Sequence, residues 1–290
     1  MGHKILITGS SSGFGKDTVK KLVNNGHQVS ATMRGVKGKN AEAAAELTAA
    51  GAVVIEMDVT DENSVNTAVA QTIDELGGID VVVNNAGVGV AGMQEHFTVD
   101  DFQKVFDVNV FGVQRVNRAV LPHMRAQGSG LIVYISSCLG RITLPFYGPY
   151  NASKWALEGM AENYRAELAG FGIENVIVEP GGFETNFVGN LLQPSDQSRV
   201  PEYGDFMNAP AQMGEGFFAA LQANTEQRPE KVVDKIVELI EGERGKRPFR
   251  SVVDFMGMGD LVGPANAQLE QSMHGLYGNF QMEGMLSMNA

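Results

Sequence analysis

Within its first thirty residues the chain runs from a short apolar strand through a glycine-rich turn into a helix, an order that restricts the possible folds severely. Ile5-Leu6-Ile7 is the strand, Thr8-Gly9-Ser10-Ser11-Ser12-Gly13-Phe14-Gly15 the turn, and a helical run to Asn25 closes at Gly26. Three glycines allow a tight bend and let backbone N–H groups approach a pyrophosphate at the helix N-terminus. Their spacing, Gly-x3-Gly-x-Gly, differs from the usual GxGxxG fingerprint, and glycine-rich turns also occur without ligands. The unit then repeats. Strands are expected at 28–33, 52–57 and 79–83, with helices at 40–50 and from Thr60 to Leu76 between them. Alternation in units of roughly 25 residues means a parallel sheet with helices on both faces, an α/β fold. Such sheets bind ligands at the carboxyl ends of their strands.

The loop after the second strand, Arg34-Gly35-Val36-Lys37-Gly38-Lys39, bears on the ligand. A dinucleotide site reading NAD places a carboxylate about 20 residues past the glycines to hold the ribose hydroxyls. No acidic residue occurs between Asp17 and Glu42, while three bases stand in six residues of a chain whose net charge is −12. Solvated lysines in a loop would look the same, but the missing carboxylate favours a ribose 2′-phosphate held by Arg34. The overall charge argues against nucleic acid or an anionic membrane as partner.

Thr98 opens a long helix with Asp101 in capping-box position. Its apolar stripe is Phe102, Val105, Phe106, Val113, Val116 and Val120, and Asn109 falls on that stripe. A buried amide fits either an ordinary satisfied core residue or part of a reactive network. The next strand, 131–135, runs into Ser137, and Pro149 starts a helix through Leu168 that carries Tyr150-Asn151-Ala152-Ser153-Lys154. Residues four apart share a helix face, so the Tyr150 phenol and the Lys154 ammonium project into one site. A phenol titrates near pH ~10, and a fixed cation beside it moves it toward working range. That spacing alone also arises by chance.

After strand 175–178 come Glu179-Pro180-Gly181-Gly182-Phe183-Glu184-Thr185, then residues 186–228 with no strand pattern. The aromatics of that segment, Phe187, Tyr203, Phe206, Phe217 and Phe218, suggest a cover over an apolar ligand; a mobile loop is the alternative. Pro229 starts another helix, and 249–253 is the last strand. No linker marks a second domain, so residues 1–254 read as one unit. The extension 255–290 lacks Lys and Arg and holds six of the fourteen methionines, which suits a lid, a subunit contact or a disordered tail. The lone cysteine, Cys138, permits no intrachain disulfide, and the five histidines show no ligand spacing, so no metal is expected. No apolar run approaches the ~18 residues needed to span a bilayer. The chain enters a strand almost at once, leaving no room for a signal sequence. A cytoplasmic protein is the expectation from these features.

Together, Thr8-Gly9-x3-Gly13-x-Gly15, Asp58, Asn84-Asn85-Ala86-Gly87, Asn109, Ser137, Tyr150-x3-Lys154 and Pro180-Gly181 resemble the classical short-chain dehydrogenase/reductase family, in the right order from residue 3 to about 185. The resemblance implies a single doubly wound Rossmann-type domain with a seven-stranded parallel sheet, order 3-2-1-4-5-6-7. It makes Tyr150 the acid/base. Lys154 would lower the phenol's pKa and hold the nicotinamide ribose, Ser137 would bond the reacting oxygen, and Asn109 would support a water leading from Lys154 to solvent. It lines the dinucleotide with Gly9, Ser12, Phe14, Asp58, Asn85, Phe183 and Thr185, accompanied by Ser11, Gly13, Gly15, Val59, Ala86, Gly87, Pro180 and Gly181. With Arg34 added, the expected cofactor is NADP(H) in preference to NAD(H). Leu139, Leu144, Phe146, Phe183 and Phe187 near the motifs, with Ser137, suggest a fairly apolar ketone, aldehyde or secondary alcohol as substrate; filling core is their alternative role. The family also implies a homodimer or homotetramer. A carrier-linked 3-ketoacyl reductase and a non-catalytic dinucleotide sensor are the competing functions. The acidic charge disfavours docking of an acidic carrier, and the presence of Asn109, Ser137, Tyr150 and Lys154 together disfavours the sensor.

Overall fold

A computed structural model of the chain describes residues 2–288. Met1 of the 1–254 unit and the last two residues of the 255–290 extension therefore lie outside the described residues. Seven strands, β1 (Lys4–Thr8), β2 (Gln28–Met33), β3 (Val53–Glu56), β4 (Val81–Asn84), β5 (Gly130–Ile135), β6 (Ile173–Pro180) and β7 (Arg250–Val253), form one sheet in the order 3-2-1-4-5-6-7. Every pairing is parallel, with Ile5 opposite both Val29 and Val81 and Val133 opposite both Val83 and Val176. Parallel strands are covered on both faces, which is why β4 and β6 are buried along their whole length rather than at alternate residues, and why the Glu174, Asn175 and Glu179 side chains of β6 need buried partners.

The helices follow in chain order: α1 (Gly13–Asn24), α2 (Ala41–Ala49), α3 (Glu62–Leu76), α4 (Val99–Phe106), α5 (Val113–Gln127), α6 (Gly148–Ala169), α7 (Asn186–Gly189), α8 (Val200–Tyr203), α9 (Ala209–Ala223), α10 (Pro229–Glu241) and α11 (Met258–Asn279). Ile5 and Ile7 pack with Val19 and Leu22 of α1 and Ile236 and Ile240 of α10 on one face. Leu6, pointing the other way, packs with Val65 of α3, Val116 and Val120 of α5 and Leu157 of α6. That is the period of two expected of a strand.

The local signals decide the helix starts. Thr98 and Asp101 form the expected reciprocal capping box of α4. Between α4 and α5 the turns widen over Asp107–Gly112 into a π-helical segment, which places Asn109 inward. At α3 the cap is Asp61, not Thr60. The Asp61 carboxylate accepts from Asn63 N and Ser64 N at 2.8 and 3.2 Å, while Thr60 turns back to Asp58. Segment 186–228, which shows no strand pattern in sequence, is largely helical. Pro201 and Pro210 sit in the first turns of α8 and α9, and α9 buries only Leu221, too little for a periodic stripe. The extension likewise forms α11. Among the described residues no helix is long and apolar enough to cross a membrane, and no cluster of three His, Cys, Asp or Glu side chains is placed to hold a metal ion.

Candidate active site

The loops at the carboxyl ends of β1, β4, β5 and β6 meet in one place. Gly9 adopts φ +70°, and a Cβ there would lie 2.7 Å from Ala86 Cα. Both facts require glycine. The β4 loop is sewn to this turn: Thr8 Oγ1 accepts from Asn85 N and Ala86 N at 3.1 and 3.0 Å, and Asn85 Nδ2 donates to Thr8 O and Gly9 O at 2.9 and 3.1 Å. Ser12, the residue ahead of α1, makes no side-chain cap, and the first turn holds no acid. That helix end opens on a cavity of about 270 Å³ lined by Ser11, Ser12, Gly13, Lys16, Lys20 and Thr185. Backbone N–H groups of the turn and the positive helix terminus fit a pyrophosphate, while Lys16 and Lys20 are paired with Glu46 and the carboxylates of Asp17 and Glu184 also line the cavity.

At the carboxyl end of β2 the surroundings of Arg34 are more acidic than its own loop implies. Arg34 is half-exposed with Nη1 3.6 Å from Asp58 Oδ2. Burial raises the Asp58 carboxyl, but bonds from Thr60 and the nearby Arg34 charge outweigh it and hold Asp58 below its ordinary value. The loop has no acid of its own, yet β3 supplies one: Glu56, opposite Met33 in the sheet, accepts from Gly35 N at 2.6 Å and Val36 N at 2.8 Å. Val59 is buried beneath the π segment, against Gly112.

At the reacting end, Ser137 caps a short turn, Cys138–Gly140; its oxygen accepts from Leu139 N at 3.1 Å and its hydroxyl lies 3.4 Å from Pro180 O. Tyr150 is buried in a cluster with Val90, Leu139, Leu144 and Ile142, and Phe187 covers it at 5.7 Å between ring centres. Lys154 Nζ lies 5.6 Å from the centre of the Tyr150 ring and donates to Ile135 O at 2.8 Å. A Cβ on Gly87 would sit 3.4 Å from Asn109 Oδ1 and 3.8 Å from Lys154 Nζ, so these two groups flank one bare backbone position. Asn109 itself is fully engaged. Its Nδ2 donates to Val88 O and Ser153 Oγ, both at 2.9 Å, and its Oδ1 accepts from Val88 N at 2.8 Å. The satisfied-core alternative describes these contacts, and they lock the β4 loop to α6.

The electrostatics run against the simple expectation for the phenol. Burial pushes Tyr150 up to about 12, opposed by the bond from Ser137, and burial brings Lys154 down to about 8, opposed by Glu158. A phenol enclosed by apolar side chains stays protonated, a proton donor at neutrality. Cys138 is buried, with its thiol pushed up to about 12 by desolvation, a packed small hydrophobe.

Not every candidate joins the site. Phe183 turns to the opposite face and meets Phe14 edge-on at 5.8 Å, away from Leu139 and Leu144. Phe146, at φ +70°, faces Phe206 at 6.2 Å. Thr185 caps α7. Several contributors escaped the sequence reading. Gln227 donates to Gly182 O at 2.7 Å and accepts from Phe255 N at 2.6 Å, while Asp254 packs so close to Gly181 that no Cβ fits there. Met258 of α11 reaches the Tyr150 cluster. A buried ladder runs Asn84–Asn117–Tyr134–Asn175, at 2.9, 3.0 and 2.9 Å, and ties β4, α5, β5 and β6 together beneath the loops. Gln227, Asp254 and Met258 are far from the motifs in sequence, and the ladder, though it includes Asn84 of one motif, joins residues whose spacing gives no sign that they face one another.

Comparison with known proteins agrees with this geometry. The family model for short chain dehydrogenase matches residues 3–196. The chain is similar to 3-ketodihydrosphingosine reductase of Bacteroides thetaiotaomicron, 41% identical over 201 residues, 69% of this chain and 71% of the relative. It is also similar to retinol dehydrogenase 8 of Homo sapiens, 37% identical over 253 residues, 83% of this chain and 78% of the relative. A crystal structure of a short-chain dehydrogenase from Streptomyces avermitilis superposes with TM-score 0.75 at 29% identity, covering 97% of this chain and 98% of that one. The chain belongs to the short-chain dehydrogenase/reductase family, oxidoreductases that act on carbonyl and alcohol groups with a nicotinamide dinucleotide.

Proposed function

We propose that this protein is an NADP(H)-dependent oxidoreductase of fairly apolar ketones, aldehydes or secondary alcohols, with Tyr150 as acid/base. The observation that carries the proposal is the convergence of the Ser137 hydroxyl, the Tyr150 phenol and Lys154 beneath an apolar cover of Leu139, Leu144 and Phe187. When bound, the nicotinamide supplies or accepts the hydride. In the reducing direction Tyr150 gives its proton to the carbonyl oxygen and is left as phenolate. Ser137 donates a hydrogen bond to the same oxygen, and the Lys154 ammonium offsets the phenolate charge. The relatives named for 3-ketodihydrosphingosine and for retinol are in keeping with an apolar substrate. The test is loss of reduced-nicotinamide absorbance over a panel of ketones and aldehydes. Best turnover of small hydroxy acids or sugars would reject the substrate class; no turnover of any would favour a sensor.

The cofactor preference rests on Arg34, whose half-exposed guanidinium stands at the end of β2. A guanidinium holds a phosphate through two charge-assisted hydrogen bonds. Such bonds are worth ~1.5–3 kcal/mol net, a preference of roughly 10- to 150-fold. The Glu56 carboxylate is held on Gly35 and Val36 N–H, which draws part of its charge away from the ribose edge. Arg34→Ala should therefore raise the KM for NADPH strongly and that for NADH little. Equal kcat/KM for the two cofactors in the unmodified enzyme would sink this reading.

The pH dependence follows from Lys154. With its ammonium brought down to about 8 by burial, it is charged below that pH and neutral above. The kcat/KM for NADPH, which reports groups of the free enzyme, should hold level in the acid range and fall as pH rises through about 8. A level profile well into the alkaline range would contradict it. Assembly as a homodimer or homotetramer belongs to the same proposal. It is supported by Phe111 and Trp155, 50% and 44% exposed on the π segment and α6. A monomer by light scattering at micromolar concentration would reject it.

A further inference from the structure

The helix α11 lies beyond the residues that the family model matches, 3–196, and buries Val262 and Asn266 alone. Val262 is an apolar anchor. Asn266, one turn on and 8% exposed, is fully committed: Arg141 Nε donates to its Oδ1 at 2.8 Å, and its Nδ2 donates to Glu179 Oε2 at 2.5 Å. Those two partners are the ends of the segments that hold Ser137. Arg141 follows the Cys138–Gly140 turn that Ser137 caps, and Glu179 precedes Pro180, whose carbonyl faces the Ser137 hydroxyl at 3.4 Å.

We propose that Asn266 is a positioning residue for Ser137, its carboxamide clamping the turn that carries the Ser137 hydroxyl to the end of β6. The inference rests on the assignment of Ser137 as donor to the reacting oxygen. When Ser137 turns its hydroxyl to that oxygen, it gives up Pro180 O, and its own link between the two segments is lost. The Asn266 bridge remains. The turn is three residues long, so a shift at Arg141 passes directly to Ser137. Its other side is already closed: a Cβ on Gly140 would lie 2.8 Å from Ser136 Oγ and 3.1 Å from Glu158 Cγ. Arg141 closes the turn, its N–H donating to Cys138 O at 3.1 Å, and its guanidinium is held by Asn266 and, at 3.5 Å, by Glu162.

A purely structural Asn266 would add to stability without reference to Ser137. The two roles separate in a cycle of Asn266→Ala, Ser137→Ala and the double variant, each assayed for kcat and for the KM of NADPH. A misplaced reacting group costs up to about 100-fold, so Asn266→Ala should lower kcat by about 10- to 100-fold while the KM for NADPH stays as it was. In the Ser137→Ala background the same change should lower kcat no further. An unchanged kcat, or an equal loss in both backgrounds, overturns the proposal. Should Asn266→Ala fail to fold by its thermal transition, Asn266→Ser, which keeps one polar atom but cannot span both partners, replaces it in the same cycle. Ser137→Ala without effect on kcat would instead remove the role of Ser137 itself, and the clamp with it.

Discussion

Tyr150→Phe should abolish most turnover, a loss of about 10²–10⁴-fold in kcat, while the protein folds and binds its dinucleotide nearly as before. The change deletes one oxygen and keeps the ring. That ring is buried among Val90, Leu139 and Leu144 and covered by Phe187, so the apolar contacts survive. What goes is the proton donor. Ser137 can still bond the carbonyl oxygen, but it lacks a cation placed to offset the charge left after donation, whereas Tyr150 has Lys154 beneath it. Burial keeps the phenol protonated, with its pKa pushed up to about 12, which suits donation in the reducing direction. Interactions made only as charge develops act on kcat rather than on ground-state binding. Retained turnover in Tyr150→Phe, with folding confirmed by its thermal transition, would remove Tyr150 from the chemistry.

The parts of this fold that sequence revealed are those written locally. Buried parallel strands read as apolar runs, Thr98 and Asp101 mark a helix start three residues apart, and Tyr150 and Lys154 share a face because a helix repeats every 3.6 residues. What stayed hidden depends on neighbours across the sheet. Glu56 lies about twenty residues past the Arg34 loop and reaches it only because β2 and β3 pair in register at Met33. Asn266 meets Glu179 and Arg141 across more than eighty residues of chain. The helices of 186–228 bury too little to leave a stripe. The direction of the phenol's shift is hidden from sequence for a related reason. Spacing shows that a lysine is near, but only packing shows that desolvation acts more strongly on both groups.

The largest stability effect should come from Arg250, at the start of β7. Its guanidinium is nearly enclosed. Nε lies 3.1 Å from Glu158 Oε2 and 3.4 Å from Glu179 Oε1, Nη2 pairs with Glu162, and Nη1 lies 3.8 Å from Glu270 of α11. The aromatic ring of Phe249 is flanked by Arg250 and Arg165 at 4.5 and 4.3 Å. Glu158 and Glu179 are fully buried, and desolvation raises both carboxyls, Glu179 to about 8. Arg250→Met leaves them without their common cation. Removing one partner of a buried pair costs about 3–5 kcal/mol, which for a chain of this size lowers Tm by on the order of 10 °C. Above about pH 8, where the Glu179 carboxyl would otherwise ionise without that cation, Glu179→Gln added to Arg250→Met should recover part of that loss. The unmodified protein offers an independent check. A carboxyl whose folded pKa is raised holds its proton more tightly when folded, so its contribution is complete below the unfolded pKa and lost as pH rises through the folded one. Stability should therefore decline from roughly pH 5 through about 8, and Glu179→Gln should flatten that decline. An Arg250→Met protein that melts with the parent would mean that this guanidinium does not hold the buried carboxyl cluster together.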